Sequence, residues 1–327
     1  MILLIGGKMN IGIIGTGAYA IALASILENK NLNILMWTKL NNEFQELSNN
    51  HTNLSVLNYK LNEKIKFTNS LEELSNKSNV LILAIPTKFV KDTMNELKTY
   101  YHNQEILIAS KGMIENTNLL MDEYLSNILN TNKISCLSGP SFANDVIKKE
   151  PIGLTIASKN NNSLQYIKNI FSNIEYITLD DTKDIIGLEL CGILKNIIAI
   201  GAGILNGMNI NSSTIAKYLK DTSLEIEKII VQLNGFKDTF STYGGFGDFI
   251  LTTTNNKSRN YTFGQLIGEN KDYKNYMKTT TIEGLENLNG IYNLLNSKNI
   301  NSKIIDILYQ IVYLSKDKNI LINYLKN

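Results

Sequence analysis

Near the head of the chain a short apolar run, Asn10–Ile14, joins directly to Gly15-Thr16-Gly17-Ala18-Tyr19-Ala20, and a helical apolar pattern follows from Ile21 to Leu27. This junction constrains the fold more than any other segment. A first glycine permits a tight turn out of a strand. A second lets an anion approach the backbone, and a small sixth residue lets the next helix lie close on the strand. The N–H groups that open such a helix have no intrahelical partner, so they favour an anion such as a pyrophosphate. The G-x-G-x-x-A spacing alone is a weak signal, and its position between strand and helix strengthens it.

More apolar runs follow at Leu32–Trp37, Ile65–Phe67, Val80–Ile85, Glu105–Ala109 and Lys133–Leu137, with helix-like segments between them and two further runs at Gly153–Ala157 and Glu175–Thr178. Strands that alternate with helices need crossover connections, which build a parallel sheet. After Thr178 the texture changes. From Asp184 to about Asn206, apolar residues including Ile185, Leu190, Ile193, Leu194, Ile197, Ile198 and Ile204 surround a predicted helix on nearly all sides. Such a helix belongs inside a core. The remainder reads as helical, with a Gly-rich turn at Gly244–Gly247. The predicted fold class is therefore α/β: a doubly wound dinucleotide-binding sheet over residues 9–183, followed by an all-helical domain over 184–327.

Charge excludes some classes. Lys and Arg number 32 against 30 Asp and Glu, so the chain lacks the basic surplus of a nucleic-acid binder, and an anionic ligand needs local positive groups. Two cysteines, Cys136 and Cys191, cannot build a disulfide framework, which points to a reducing, cytoplasmic setting with buried thiols. Neither Cys nor His shows metal-ligand spacing. The apolar run Ile2–Ile5 is too short for a signal peptide, and Met9 is an alternative start. Polar residues interrupt every long apolar stretch, so no membrane span is expected.

The chain has only His51 and His102, both in polar loop-like surroundings, where a surface position is expected. A proton donor must then be another group, and lysine is the natural one, because desolvation lowers its pKa toward working pH. Lys195 stands in Glu189-Leu190-Cys191-Gly192-Ile193-Leu194-Lys195-Asn196, inside the all-apolar helix. A charge there is costly unless paired or active. Ser110-Lys111-Gly112 and Ser138-Gly139-Pro140-Ser141-Phe142-Ala143 each follow a predicted strand end, where open parallel sheets bind ligands. Gly244-Gly245-Phe246-Gly247-Asp248 and Lys257-Ser258-Arg259-Asn260 lie in the helical half. Arg259 is the only arginine. Its planar fork suits phosphate recognition. The second strand ends in Met36-Trp37-Thr38-Lys39, with no acid until Glu43, and a lysine there favours a 2′-phosphate over a free ribose hydroxyl.

The combination of Ser138–Ala143, Glu189–Ile200, Gly245–Asp248 and Ser258–Asn260, in this order and spacing, resembles the bacterial NAD(P)-dependent glycerol-3-phosphate dehydrogenase family. The resemblance runs from about residue 10 to about 290. It implies a Rossmann domain followed by a helical domain, NADP(H) or NAD(H) as cofactor, and reversible reduction of dihydroxyacetone phosphate to sn-glycerol 3-phosphate for glycerophospholipid synthesis. By resemblance, Lys195 exchanges the proton and Lys111 contacts both cofactor and substrate. Gly139, Ser141, Asp248, Ser258, Arg259 and Asn260 line the substrate site. Gly15, Gly17, Ala18, Tyr19, Ala20, Lys39, Ala143 and Glu283 fall at cofactor positions, with Arg259 reaching the cofactor too. The implied partner is a small phosphorylated molecule, with no nucleic acid, and the chain is expected to be a homodimer or monomer.

This sequence departs from the family pattern in places. Ala18-Tyr19-Ala20-Ile21 stands where the family usually has Ser-Trp/Phe-Gly-Thr, so Ala18 lacks a hydroxyl. Lys39 replaces a common arginine, and the family's Pro-rich loop is not recognisable in Asn53–Lys64. The residues alone leave two alternatives open: a sister dehydrogenase acting on a 3-hydroxy acid or ketopantoate, and a non-catalytic dinucleotide sensor. The sensor needs no ionisable group in the apolar helix.

Overall fold

The computed structural model describes residues 8–326; the run Ile2–Ile5 lies outside them. The chain forms two compact units. The first comprises the chain up to Ser110, Met121–Leu137 and Ser141–Lys183. The second comprises Lys111–Leu120, Ser138–Pro140 and the chain from Asp184 on. A single cut near residue 183 therefore misses two short segments. They group with the helical unit because they pack there: Met113 and Leu120 join its apolar core, and Pro140 lies against Gly247.

The first unit carries eight strands: β1 (Met9–Ile14), β2 (Leu32–Trp37), β3 (Lys66–Thr68), β4 (Val80–Leu83), β5 (Glu105–Ile108), β6 (Ile134–Ser138), β7 (Ile152–Ala157) and β8 (Ile177–Thr182). They lie in the order β3-β2-β1-β4-β5-β6-β7-β8. The pairs β1–β2, β1–β4, β2–β3, β4–β5, β5–β6 and β7–β8 are parallel. This is the Rossmann arrangement, extended at one side. Chain order reverses at β1, whose neighbours are β2 and β4, and ligands of such sheets bind beyond the strand ends at that point. The last four residues of β1 and all of β4 are buried, as expected of strands covered on both faces.

Between the strands run α1 (Ala18–Leu27), α2 (Asn41–Asn50), α3 (Leu71–Lys77), α4 (Val90–Leu97), α5 (Met121–Leu129), α6 (Ala143–Val146) and α7 (Asn161–Phe171). Helix α1 is alanine-rich, which suits helix formation. Its small residues Ala20, Ala22 and Ala24 are fully buried. One expectation shifts: the last strand covers Ile177–Thr182, not Glu175–Thr178. It lies at the sheet edge. An edge strand tolerates polar residues such as Asp180 and Asp181, which hide it from an apolar pattern.

The second unit holds α8 (Ile185–Gly207), α9 (Ser212–Gln232), α10 (Asp248–Thr253), α11 (Arg259–Gly268), α12 (Tyr273–Thr279), α13 (Glu283–Ser297), α14 (Lys303–Val312) and α15 (Asn319–Lys326). Asp184 caps α8 by accepting from Gly187 N at 2.8 Å. Its second oxygen accepts from Phe236 N and Thr239 Oγ1, each at 2.6 Å. One buried carboxylate thus caps the central helix and ties down the segment that follows α9. Every α8 residue except Ile186 and Asn206 is buried. By length and composition alone α8 is apolar enough to cross a bilayer. It is the one such helix among the described residues, and its side chains are spent on the core of this unit.

Helix α11 crosses α8 at backbone contact. A Cβ built on Gly203 would sit 2.0 Å from Tyr261 O, and one on Gly264 would sit 2.0 Å from Ile200 O. Backbone cannot yield as a flexible side chain does. Gly264→Ala is therefore expected to lower unfolding free energy by about 1–3 kcal/mol, the range for overpacking a tight core. Urea denaturation followed by circular dichroism tests this; an unchanged midpoint would mean that the crossing has slack.

Candidate active site

In the first unit the loop after β1 is held from several sides. Gly15 has φ +123°, its N–H donates to Trp37 O at 2.9 Å, and an added Cβ would meet Ala84 O at 2.5 Å. Only glycine fits that conformation and that contact. Gly17 differs: a Cβ there would meet nothing within 4 Å. The loop thus opens onto free space beside the start of α1, whose N-terminus carries no side-chain cap. Uncapped first-turn N–H groups, an open glycine and the reversal of strand order together fit the pyrophosphate of a nicotinamide dinucleotide. Ala18 and Tyr19 are partly buried, and Ala20 is fully buried under the helix.

Two more expected residues meet in this unit. The Tyr19 hydroxyl lies 3.2 Å from Ser141 Oγ. Ala143 opens α6, which packs on α1. Lys39 is exposed just beyond β2. Sequence reasoning missed its neighbour. Glu43, in the first turn of α2, accepts from Thr16 Oγ1 at 2.5 Å and from Thr38 Oγ1 at 2.9 Å. An acid therefore does reach the end of β2, brought there by helix geometry and not by adjacency in sequence. His102 is exposed as expected. His51 is partly buried against Phe67 and ends α2 with φ 56°. Its exposure is lower than expected because capping turns it back onto β3.

The second unit concentrates the charged groups. Lys195 comes from the middle of α8 and is 6% exposed; Asp248 opens α10 and is 2% exposed. Lys195 Nζ lies 2.8 Å from Asp248 Oδ1 and 2.8 Å from Thr252 Oγ1. Lys111 Nζ lies 2.6 Å from the other oxygen, Asp248 Oδ2, which also accepts from Ser138 Oγ at 3.4 Å. The stem of Lys111 passes over Gly192, where a Cβ would be 3.5 Å from its Cγ. Thr252 was not foreseen, although its spacing four residues after Asp248 puts the two on one helix face.

Burial governs the electrostatics. Loss of water pulls the Lys195 ammonium down to a pKa of about 8, aided by the nearby Lys111 charge and opposed by Asp248. Burial alone would raise the Asp248 carboxyl, but Lys111 and Lys195 outweigh it and hold the group below the usual carboxylate range. Two lysines share one carboxylate, so the cluster carries an excess positive charge.

The remaining residues gather around Glu283, which opens α13. Its carboxylate accepts from Asn196 Nδ2 at 3.1 Å and lies 3.6 Å from the Arg259 guanidinium. Asn260 Oδ1 accepts from Gly284 N at 2.8 Å, and Ser258 caps α11 by accepting from Tyr261 N. Arg259 is half exposed while Asn260 and Ser258 are buried, so its fork is held by one acid and is otherwise available. Gly139 is buried in the segment next to Ser138. Of the expected residues, Gly15, Gly17, Ala18, Tyr19, Ala20, Lys39, Ser141 and Ala143 belong to the first unit, and Lys111, Gly139, Lys195, Asp248, Ser258, Arg259, Asn260 and Glu283 belong to the second.

Asp248→Asn removes the charge that supports protonated Lys195. The Lys195 pKa should then fall below its present value of about 8. A side-chain NMR titration of the lysine Cε would follow it, and an unmoved or raised value would contradict the assigned balance.

Known proteins resemble this chain along nearly its whole length. Residues 10–164 match the model for the N-terminus of NAD-dependent glycerol-3-phosphate dehydrogenase, and residues 184–323 match that for its C-terminus. A glycerol-3-phosphate dehydrogenase [NAD(P)+] of Mesoplasma florum is 34% identical over 316 residues, covering 94% of each chain. One from Staphylococcus haemolyticus is 30% identical over 310 residues, covering 93% of each. The crystal structure of a glycerol-3-phosphate dehydrogenase from Coxiella burnetii superposes with a TM-score of 0.91 at 25% identity, covering 98% of this chain and 99% of that one. With both halves matched and relatives aligned over nearly the whole length, the chain belongs to the NAD-dependent glycerol-3-phosphate dehydrogenase family.

Proposed function

We propose that this chain reduces dihydroxyacetone phosphate to sn-glycerol 3-phosphate, reversibly, with NADH or NADPH, and that its product feeds glycerophospholipid synthesis. The observation that carries the reading is the buried lysine–carboxylate–lysine cluster of Lys195, Asp248 and Lys111. Residues 9–183, apart from Lys111–Leu120 and Ser138–Pro140, are the cofactor domain, and residues 184–327 form the substrate domain together with those two segments. A cytoplasmic location and a monomeric or homodimeric state complete the proposal.

The cofactor supplies the hydride. Gly15, Gly17, Ala18, Tyr19 and Ala20 form the loop that takes its pyrophosphate, and Lys39, Lys111, Ala143, Arg259 and Glu283 make further contacts. As the carbonyl oxygen of the substrate gains charge, Lys195 gives it a proton, and Lys111 stabilises the charge while it develops. Asp248 and Thr252 hold the Lys195 ammonium in one place through two 2.8 Å contacts. The excess positive charge of the cluster becomes favourable once an anionic substrate or alkoxide enters, because a buried charge is stable only with a counter-charge. Arg259 and Asn260 take the substrate phosphate, assisted by Ser258, Gly139 and Ser141. The arginine fork matches phosphate geometry in a way lysine does not. Holding the remote phosphate fixes the carbonyl and removes orientational entropy from the reaction.

Lys195→Ala is expected to reduce turnover by roughly 10²–10⁴-fold, the usual worth of a positioned acid, with dinucleotide binding retained. Absorbance of the reduced nicotinamide reports turnover, and a near-normal rate would remove Lys195 from the reaction. The pH dependence has a definite sign. Reduction needs protonated Lys195, so its rate should fall as pH rises through about 8, and oxidation of glycerol 3-phosphate should rise over the same range. Profiles that run in the same direction for both reactions would contradict this role. Arg259→Ala should chiefly raise KM for the phosphorylated substrate, and an unchanged KM would take Arg259 out of the phosphate site.

A further inference from the structure

We propose that Glu43 sets this chain's preference toward the dinucleotide without a 2′-phosphate, so that NADH binds at least as well as NADPH. The inference rests on the reading that the first unit binds a nicotinamide dinucleotide. Residue order at the end of β2 suggests the reverse, because Lys39 comes first and no acid is adjacent. The structure changes that balance. The first turn of α2 carries Glu43 back to the Gly15–Gly17 loop, where its Oε2 accepts from Thr16 in that loop and from Thr38 beyond β2. Thr16 is itself fixed: it is 4% exposed, and its carbonyl accepts from the fully buried Asn53 at 3.2 Å. The carboxylate is thus anchored at two points, on the loop and on the strand end.

The second oxygen, Oε1, has no hydrogen-bond partner among the described residues. It is not a buried orphan, and the side chain is only partly covered, so Oε1 meets solvent. In sheets of this order, an acid beyond the second strand accepts from the ribose 2′-hydroxyl of the cofactor. Glu43 brings a fixed, solvent-facing acceptor to that strand end. A 2′-phosphate would instead bring a charge of like sign toward it. Lys39 offers the opposite charge, but it is exposed and makes no ion pair with Glu43 or any other described acid. Its charge is exposed and screened by water, whereas that of Glu43 is held by two hydroxyls. An exposed, unanchored lysine contributes little, so the anchored carboxylate decides.

The test is binding, without substrate, on the full chain. NADH and NADPH are titrated separately, and each Kd is read from nicotinamide fluorescence. The wild type is expected to bind NADH as tightly as NADPH or more so. Glu43→Gln keeps an oxygen that accepts from Thr16 and Thr38 but removes the charge. It should shift the ratio of the two Kd values toward NADPH by about threefold to fivefold, the upper part of the range for a partly exposed charge pair. Lys39→Gln should shift the ratio by less. Binding of neither nucleotide would overturn this proposal together with the dinucleotide reading. Bound NADH that leaves dihydroxyacetone phosphate untouched would overturn the substrate assignment alone, with the ratio still deciding the role of Glu43. A clear wild-type preference for NADPH, or a ratio that Glu43→Gln leaves unmoved, overturns the proposal.

Discussion

Asp248 faces two ammonium groups at once, with Lys195 on one oxygen and Lys111 on the other. Enclosing three charges in an apolar unit is expensive, and removing water from any one of them unpaired would cost several kcal/mol. Pairing makes the enclosure tolerable but leaves one positive charge in excess. Burial lowers the Lys195 pKa to about 8, which suits the proton-donor role proposed for it near neutral pH. A solvated lysine, near its ordinary value of about 10.4, would hold its proton too tightly.

The architecture of the second unit supplies that burial. Lys195 lies in the middle of a helix, α8, that is covered along nearly its whole length. Covering a helix so fully needs neighbours at close range. Gly203 and Gly264 let α11 approach to backbone contact, which positions Ser258, Arg259 and Asn260 at the start of α11. Asp184 fixes the beginning of α8 by a buried cap that also binds the chain after α9. Packing density and the electrostatics of the cluster are therefore one problem with one solution. The sheet unit solves a separate problem, that of offering backbone N–H groups and open space at a strand end. It does so with two glycines used differently: Gly15 because backbone crowds it, and Gly17 because nothing does.

Much of this was legible in the residues before any coordinates. The fingerprint loop, the alternation of strands and helices, and the apolar helix with a single lysine are local patterns. Local patterns report local conformation and burial, because each depends on periods of two or 3.6 residues and on glycine's freedom. The order Ser138–Ala143, Glu189–Ile200, Gly245–Asp248 and Ser258–Asn260 added the family, since spacing between motifs is also written along the chain. The strand β8 was shifted, because an edge position relaxes the apolar pattern that reveals inner strands.

Relations across space were decided only by the tertiary structure. Nothing in the sequence says that Lys111 shares a carboxylate with Lys195, 84 positions further on, or that Thr252 completes the contact. Nor does it show that Glu43 reaches Thr16, or that residues 111–120 and 138–140 pack with the helical unit. Sequence order determined what each segment becomes and which groups had to be paired or active, because burying a charge or turning a chain has a local cost. Which partner satisfies each group depends on how helices and strands pack, and that is fixed by shape and volume over the whole unit.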